Sequence, residues 1–208
     1  MGMNAVVGLK DVYFARVIKN TETEYVCEEP RKLAKSASLT LKSKNNSENF
    51  YYDDELQDTI TTFAGGEFDF TGDSISNENY AMLLGADFKD GVLSYYSDQQ
   101  APEVAIQYRA KMSNGKYEFN TLYIVKFGGE DEDKYETAED KTKVQNKTLK
   151  GTYMARQLTE ANGKHKYRDK IREDELVDGN TSAKEIIANF NSKIQGQTTS
   201  TTPSSPTV

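Results

Sequence analysis

The chain has 208 residues, of which 26 are Lys or Arg and 33 are Asp or Glu, so its formal net charge is -7. Proteins that bind DNA tightly gain affinity from clustered Lys and Arg, and this acidity therefore argues against that function class. No apolar run approaches the roughly 18 residues of a membrane-spanning helix and no secretion signal is present, so we expect a protein made and kept in the cytosol.

Aromatic and β-branched residues predict a mainly β fold. The chain contains 13 Tyr and 9 Phe but no Trp, which favours half-exposed β-surfaces over deep helical cores. Five segments that are rich in such residues and flanked by turn residues predict strands, at 12–18, 37–42, 59–63, 67–71 and 148–157. Gly65 and Gly66, between the third and the fourth segment, indicate a β-bulge or a tight turn.

The connection at residues 43–56 is long, polar and acidic, and it is interrupted by Phe50, Tyr51 and Tyr52. Loops of this length in compact domains are usually functional or disordered, and three consecutive aromatic residues argue against disorder. Two alternatives follow for these side chains. They either fold back on their own domain or dock on a partner, where Tyr is enriched.

A short helix is predicted next along the chain. Ser76 has the residue type that caps a helix N-terminus, and it precedes a segment, 77–84, whose apolar residues include Tyr80 and Leu83. Gly85 follows directly, and glycine is the usual residue at a helix C-terminus. The sequence therefore predicts a helix over residues 77–84.

The best-defined element is a hairpin at residues 103–127, where two alternating runs meet at Asn114-Gly115. Asn-Gly is the strongest short hairpin signal, and a two-residue turn would pair Ser113 with Lys116. In that register one face is almost wholly apolar and must be core, with the pairs Val104–Val125, Ile106–Tyr123, Tyr108–Thr121, Ala110–Phe119 and Met112–Tyr117.

The opposite face of the predicted hairpin carries opposite charges across the strands. Its polar pairs are Glu103–Lys126, Arg109–Asn120 and Lys111–Glu118. Near the middle, however, two pairs form an apolar strip that free solvent would not favour, Ala105–Ile124 and Gln107–Leu122. We therefore expect a neighbouring subunit or a chain end to cover this strip.

Charge is segregated in the last third of the chain. Residues 130–140 are strongly acidic and residues 141–172 are strongly basic. The two stretches are either solvated faces or complementary patches that join identical subunits head to tail.

A second helix and a polar tail end the chain. Ser182 and Glu185 have capping-box spacing, and the apolar residues that follow form one helical stripe, Ile186, Ile187, Phe190 and Ile194. The tail at 196–208 has low complexity and little to bury, which by itself predicts disorder or support from a neighbouring chain.

Residues with catalytic potential are few. His165 is the only histidine and lies in a basic segment without a nucleophile motif. Cys27 is the only cysteine, so the two residues form no Cys/His zinc site. Adjacent carboxylates such as Asp53, Asp54 and Glu55 rarely present the opposed geometry of a glycosidase. We therefore expect no catalytic residues, no metal and no cofactor.

Six segments in this order resemble the major tail (tail tube) proteins of phages that have long non-contractile tails and infect Gram-positive bacteria. The segments are VGLKDVYFARV, EEPRKLAKSASLTL, SENFYYDDELQDTITTFAGGEF, NYAMLLG, QAPEVAIQYRAKMSNGKYEFNTLYIVKF and TLKGTYMAR. The similarity covers about residues 6–156 and rests on the order and number of the segments.

The resemblance implies a β-sandwich or partial barrel with one flanking helix, a long loop after the second strand and a C-terminal helix. We divide the chain accordingly into a tail tube β domain at 1–157, an extension at 158–195 and a low-complexity tail at 196–208. In such families six copies form a ring whose inner strands make one barrel, and the rings stack into the tube through which DNA is ejected. The protein would be a structural subunit and not an enzyme.

The implied partners are further copies of the chain and other tail proteins, such as the terminator, tape measure and distal tail proteins. Double-stranded DNA would be non-specific cargo, and no membrane anchor is implied. The location would be the virion tail, and the host cytoplasm during assembly. An alternative is a monomeric β-sandwich module that binds a host-surface or carbohydrate ligand, with Tyr51, Tyr52, Tyr95 and Tyr96 as stacking platforms.

The resemblance also assigns candidate site residues. The long loop would reach the adjacent ring through Asn45, Asn46, Glu48, Asn49, Phe50, Tyr51, Tyr52, Asp53 and Asp54. The polar hairpin face would contact a neighbour in the ring or line the lumen through Glu103, Gln107, Arg109, Lys111, Glu118, Asn120, Leu122 and Lys126.

Overall fold

The computed structural model describes residues 4–52, 55–73, 75–128, 147–177 and 179–198. Within them the fold is mainly β, as predicted. The strands are β1 (Val6–Asn20), β2 (Tyr25–Cys27), β3 (Arg31–Lys32), β4 (Ser36–Tyr52), β5 (Glu55–Gly72), β6 (Asp87–Lys89), β7 (Val92–Ser94), β8 (Val104–Met112), β9 (Tyr117–Phe127), β10 (Lys147–Met154) and β11 (Arg168–Arg172). The helices are α1 (Asn77–Leu84) and α2 (Thr181–Ala188).

Nine of these strands form one antiparallel sheet that curls into a half-barrel. Its main path runs β2-β1-β8-β9-β10-β5-β4, while β11 pairs with β9 and β3 pairs with β1. The curl brings Leu9 of β1 and Leu41 of β4, near the two edges of the sheet, against the same hydrophobic core. Strands β6 and β7 form a separate hairpin.

The main core fills the concave side of the half-barrel. Its largest fully buried side chains include Phe14, Phe68, Phe70 and Ile106. Helix α1 closes one end, where Leu83 is fully buried in this core. Removing these apolar side chains from water is the main force that holds the sheet in its curl.

The prediction of helix α1 is confirmed at both ends. The backbone N–H of Asn79 donates to Oγ of Ser76 at 3.2 Å. Gly85 has a φ of +72°, and its N–H donates to the carbonyl of Ala81 at 2.9 Å. Short polar and glycine residues determine such ends locally, which is why the sequence alone was sufficient here.

A second, smaller core lies on the convex side of the sheet and contains Ala105, Ile124 and Tyr123. The chain's own C-terminal segment, residues 190–198, covers it, and we call this segment the strap. Ile194 of the strap is fully buried there. A later segment of the same chain therefore covers Ala105 and Ile124 of the predicted apolar strip, whereas Leu122 lies in the main core.

The predicted hairpin register is wrong by one residue over most of β8 and β9. Ile106 opposes Leu122 and not Tyr123, and only the Val104–Val125 pair is as predicted. A bulge places Ala105 against both Tyr123 and Ile124 on β9. Because side chains alternate with a period of two, the slip moves Leu122 to the core side of the sheet.

The turn chemistry explains the slip. The N–H of Gly115 donates to the carbonyl of Met112 at 3.0 Å, and Gly115 has a φ of +82°. A two-residue type I′ turn would need a positive φ at Asn114 as well, and Asn114 has none. The hairpin therefore has a three-residue loop that ends in a glycine bulge.

The segment predicted as a long loop is instead a regular hairpin. Strand β4 has 17 residues and β5 has 18, and they pair as far as Tyr52 with Glu55. The predicted strands at 59–63 and 67–71 are parts of β5. Gly65, with a φ of +105°, lies at a register shift between the strands, which confirms the bulge. Asp53 and Asp54 lie outside the described residues.

The C-terminal helix is present, but its cap differs from the prediction. Asn180, and not Ser182, caps α2 by accepting a hydrogen bond from the N–H of Ala183 at 3.1 Å. Phe190 and Ile194 of the predicted stripe are buried, but they lie beyond the end of the helix. The acidic stretch at 130–140 and the tail at 199–208 lie outside the described residues.

Candidate assembly surfaces

The outer part of the β4–β5 hairpin projects from the sheet as a two-stranded arm, defined here as residues 45–52 and 55–64. Strand β10 pairs with β5 only from Gly66 to Gly72, so nothing in the described part of the chain extends the sheet beside the arm. At about 3.3 Å per residue the arm is roughly 25 Å long. Every arm residue from Asn45 to Tyr51 whose burial is described is exposed.

The two faces of the arm differ in chemistry. One face is polar, and cross-strand hydrogen bonds join Ser47 to Thr61 at 3.0 Å and Thr59 to Asn49 at 2.9 Å. The other face carries Phe50 and Ile60, which are 37% and 50% exposed. We call this second face the apolar face of the arm.

Two carboxylates flank the apolar face. Glu48 is paired with Ile60, and Asp58 is paired with Phe50. The arm contains no Lys or Arg in residues 45–64. This face can therefore contact apolar groups and cations together.

The base of the arm is fixed by stacked aromatic rings. The Phe63 ring lies 3.9 Å from the Tyr167 ring at an interplanar angle of 14°, and 5.9 Å from the Tyr153 ring. The hydroxyl of Tyr153 also hydrogen bonds to Oγ of Ser43 at 2.7 Å. The arm is thus a rigidly rooted projection that exposes apolar side chains, and such exposure is typical of an interaction surface.

Strand β4 is the edge of the sheet along its whole length. Among the described residues, no strand pairs with its outer side. An edge strand of 17 residues presents a row of free backbone donors and acceptors that can pair with another chain. The opposite edge differs, because the strap reaches β2, where Thr198 hydrogen bonds to Tyr25 through its backbone N–H at 2.9 Å and its side chain at 3.1 Å.

The eight hairpin residues predicted to share one face are divided between two sides. Gln107 is fully buried under the strap, and its side-chain amide donates to the carbonyl of Lys193 at 3.0 Å. Glu118, Asn120 and Leu122 are also buried, on the core side of β9. Lys111 is exposed.

One of the predicted charge pairs is present and another is not. Lys126 contacts Glu103 at 3.2 Å, as the sequence predicted. Lys111 does not meet Glu118, because the register slip places Tyr117 opposite Lys111. The partner of Glu118 is Lys170 of β11, at 3.1 Å.

Glu118 belongs to a polar network at the open end of the half-barrel. Asn120 donates to Glu118 at 3.1 Å, and Arg168 donates to Asn120 at 2.6 Å and to the Tyr108 hydroxyl at 3.2 Å. Burial acts to raise the pKa of Glu118, but hydrogen bonds from Asn120 and Lys170 outweigh it and hold the pKa below its ordinary value. The carboxylate therefore stays ionised at neutral pH.

A half-buried carboxylate supports the bulge in β1. Asp11 has a φ of +48°, and Nε of Arg109 donates to its side chain at 2.7 Å. Burial opposes ionisation, but Arg109 and Lys32 lower the pKa of Asp11 below its usual value. The Arg109 guanidinium also lies 4.6 Å from the centroid of the Tyr117 ring. Arg109 is thus engaged inside its own chain.

The end of the half-barrel that α1 closes carries an open cleft of about 640 Å³. Apolar side chains on its walls include Met82, Phe88 and Pro102, and Phe88 is 41% exposed. Arg16 also lines the cleft, and none of the ion pairs in the described part of the chain involves it. We call this the α1 cleft. The residues that line the cleft form no sequence motif, so the sequence did not predict a site here.

The residues with catalytic potential are placed as follows. Cys27 is buried, and burial raises the pKa of its thiol to about 12. His165 is exposed, with Nδ1 lying 3.3 Å from the carbonyl of Leu158. Across the described ranges, no group of three or more His, Cys, Asp and Glu side chains could hold a metal ion.

None of the helices in the described part of the chain is both long and apolar enough to span a membrane. Tyr95 and Tyr96, the stacking platforms of the alternative prediction, are more than half exposed. Neither residue lines the α1 cleft.

Comparison with known proteins does not assign the chain to a family. No protein-family model matches the sequence. A search of curated proteins also finds no match.

Proposed function

We propose that the chain is the structural subunit of a phage tail tube, assembling as stacked hexameric rings that form the conduit for DNA ejection. The observation that carries the proposal is that one edge of the sheet has no partner strand among the described residues. Within the described ranges the curled half-barrel ends in β4, whose outer side pairs with no strand, and β4 continues into an arm with exposed apolar side chains. A subunit with these features can extend its sheet by pairing with further copies of the same chain.

The free edge supports a ring. Monomeric proteins usually protect their edge strands with charges, prolines or a covering segment. At the other edge of this sheet the strap hydrogen bonds to β2, whereas no strand in the described ranges pairs with the outer side of β4. Strand addition from a neighbouring copy would satisfy the backbone groups of β4 and make self-association specific.

The arm supports stacking of rings. It is rooted by the Phe63–Tyr167 stack and directs Phe50 and Ile60 away from its own core. Of the two alternatives for the aromatic segment, docking on a partner is the one that this geometry favours. A contact with the adjacent ring would bury these side chains.

Acidity supports the role of a conduit. The net charge of -7 repels the phosphate backbone, so a duplex would slide along the wall without being held. DNA would thus be cargo, and the protein would need no base-reading or phosphate-binding residues.

Electron microscopy of the concentrated full-length protein tests this function. We expect rings with sixfold symmetry and tubes built from them, with a repeat that persists at physiological salt. Particles that stay monomeric at every concentration, also after addition of tail-initiating proteins, would contradict the proposal. A stable monomer that also gives a glycan-array signal would favour the binding-module alternative.

A further inference from the structure

The arm and the α1 cleft lie at opposite ends of the same subunit. One row of register partners crosses the sheet from Arg16 through Val104, Val125 and Tyr153 to Gly66. The arm extends from one side of this row. Helix α1 follows β5 on the other side, where Pro102 precedes β8.

We propose that the α1 cleft of one copy receives the apolar face of the arm of a second copy. The proposal rests on the function proposed above and names the two surfaces that would meet between rings. A projection at one end and a cleft at the other form a heterologous interface, and such an interface repeats without limit when copies are translated along one axis. A tube requires this kind of contact.

The cleft has the size and lining that the arm requires. Its volume of about 640 Å³ falls within the range of roughly 300 to 1,000 Å³ that is usual for binding clefts. Met82, Phe88 and Pro102 provide an apolar wall. Phe50 and Ile60 of the arm are exposed and adjacent on one face, so both can enter together.

One cation at the cleft supports the same pairing. The apolar face of the arm is flanked by Glu48 and Asp58, and the arm has no cation of its own. At the cleft, the exposed Arg16 has no ion-pair partner in the part of the chain that the structure describes. Two carboxylates also line the cleft: Glu78 is paired with Arg31 at 2.7 Å, and the exposed Asp87 takes part in none of the ion pairs of the described residues. Arg16 is thus the group available to an incoming carboxylate.

The test uses two full-length variants that each lose one half of the interface. The arm variant carries Phe50→Ser and Ile60→Ser, and the cleft variant carries Phe88→Ser and Arg16→Glu. All four side chains are exposed, so both variants should keep the wild-type melting temperature. A matched control replaces an exposed aromatic residue and an exposed cation away from the cleft, Tyr96→Ser and Lys164→Glu.

Self-association and mixed association are measured by sedimentation velocity. We expect the assemblies that each variant forms alone to be on the order of tenfold shorter than those of wild type, because a few central residues contribute most of the binding energy of such interfaces. Mixing the two variants leaves one intact arm and one intact cleft, so the mixture should form a complex that stops after a single stacking contact. The control should elongate like wild type.

Two results would overturn the inference. The first is a cleft variant that elongates like wild type, and the second is the absence of a mixed complex although wild type builds tubes. In both cases the tail tube function would stand with another stacking site. Conversely, a mixed complex together with wild-type chains that never close into rings would support the docking contact and contradict the tube.

Discussion

The guanidinium carbon of Arg156 lies 4.0 Å from the centroid of the Tyr123 ring. Arg156 is only 3% exposed, and it also donates to the carbonyl of Gly196 in the strap at 2.7 Å and forms an ion pair with Glu160. One buried cation therefore joins the strap, the convex face of β9 and the segment after β10.

Replacing Arg156 should loosen the strap. We expect Arg156→Ala to lower the free energy of unfolding by roughly 3 kcal/mol, since removing one partner of a buried pair leaves the other groups uncompensated. Urea denaturation measures the change. Arg16→Ala, at an exposed position, is the matched control and should change stability by less than about 0.5 kcal/mol. Equal effects of both substitutions would refute the assigned role of Arg156.

Gly196 should not accept a side chain without a loss of stability. It has a φ of +72°, and an added Cβ would lie 2.8 Å from a terminal guanidinium nitrogen of Arg156 and 2.9 Å from the Tyr123 hydroxyl. Gly91 has a φ of +84° and nothing within 4 Å of the added Cβ. Both Gly→Ala changes cost about 1 to 2 kcal/mol of backbone strain, and thermal unfolding should show a larger loss at Gly196. Equal losses of melting temperature in the two variants would mean that the added Cβ at Gly196 does not crowd Arg156 and Tyr123.

Acid should destabilise the open end of the half-barrel through Glu118. Its pKa in the folded protein is lowered from the ordinary value of 4.5. A lowered folded pKa contributes stability that is complete above the unfolded value and is lost as the pH falls through the folded pKa. We therefore expect Glu118→Gln to flatten the loss of stability below about pH 4.5, measured by denaturation across that range. The exposed Glu22→Gln control should leave the slope unchanged.

The aromatic segment of the arm should serve assembly and not folding. Replacing Phe50, Tyr51 and Tyr52 together by Ser should leave circular dichroism and the melting temperature unchanged, because Phe50 and Tyr51 are exposed. Tube growth should be abolished in electron micrographs. The same change at Tyr95 and Tyr96 should leave growth intact. Loss of folding in the triple variant would show that these rings stabilise the monomer.

The buried side chain of Ile194 should make the strap important for the stability of the fold. Ile194 is fully buried, whereas Val177 is 72% exposed. Ile194→Ala should cost roughly 2 to 5 kcal/mol because it leaves a cavity in the convex core. Val177→Ala should be near neutral in the same denaturation experiment. A small effect at Ile194 would mean that the strap is not held on the sheet in solution.

Local chemistry explains what the sequence by itself determined. The ends of α1 follow from Ser76 and Gly85, and the bulge in β5 follows from Gly65, because each depends on a few neighbouring atoms. The mainly β class follows from composition and alternation. The first strand of the arm, in β4, escaped prediction because its residues 45–51 are all exposed, so they lack the apolar and polar alternation that identifies a half-buried strand.

Tertiary structure decided the register, the strap and the positions of the arm and the α1 cleft. Asn114-Gly115 is compatible with two turn geometries that differ by one residue, and the packing of the paired strands selected the one with Leu122 in the core. The polar residues 195–198 have no local reason to be ordered. They are ordered because Tyr25, Tyr123 and Arg156, distant in sequence, meet at one place to bind them. Only a folded sheet brings such groups together, and only the pairing of its strands places the arm and the α1 cleft on opposite sides of one row of residues.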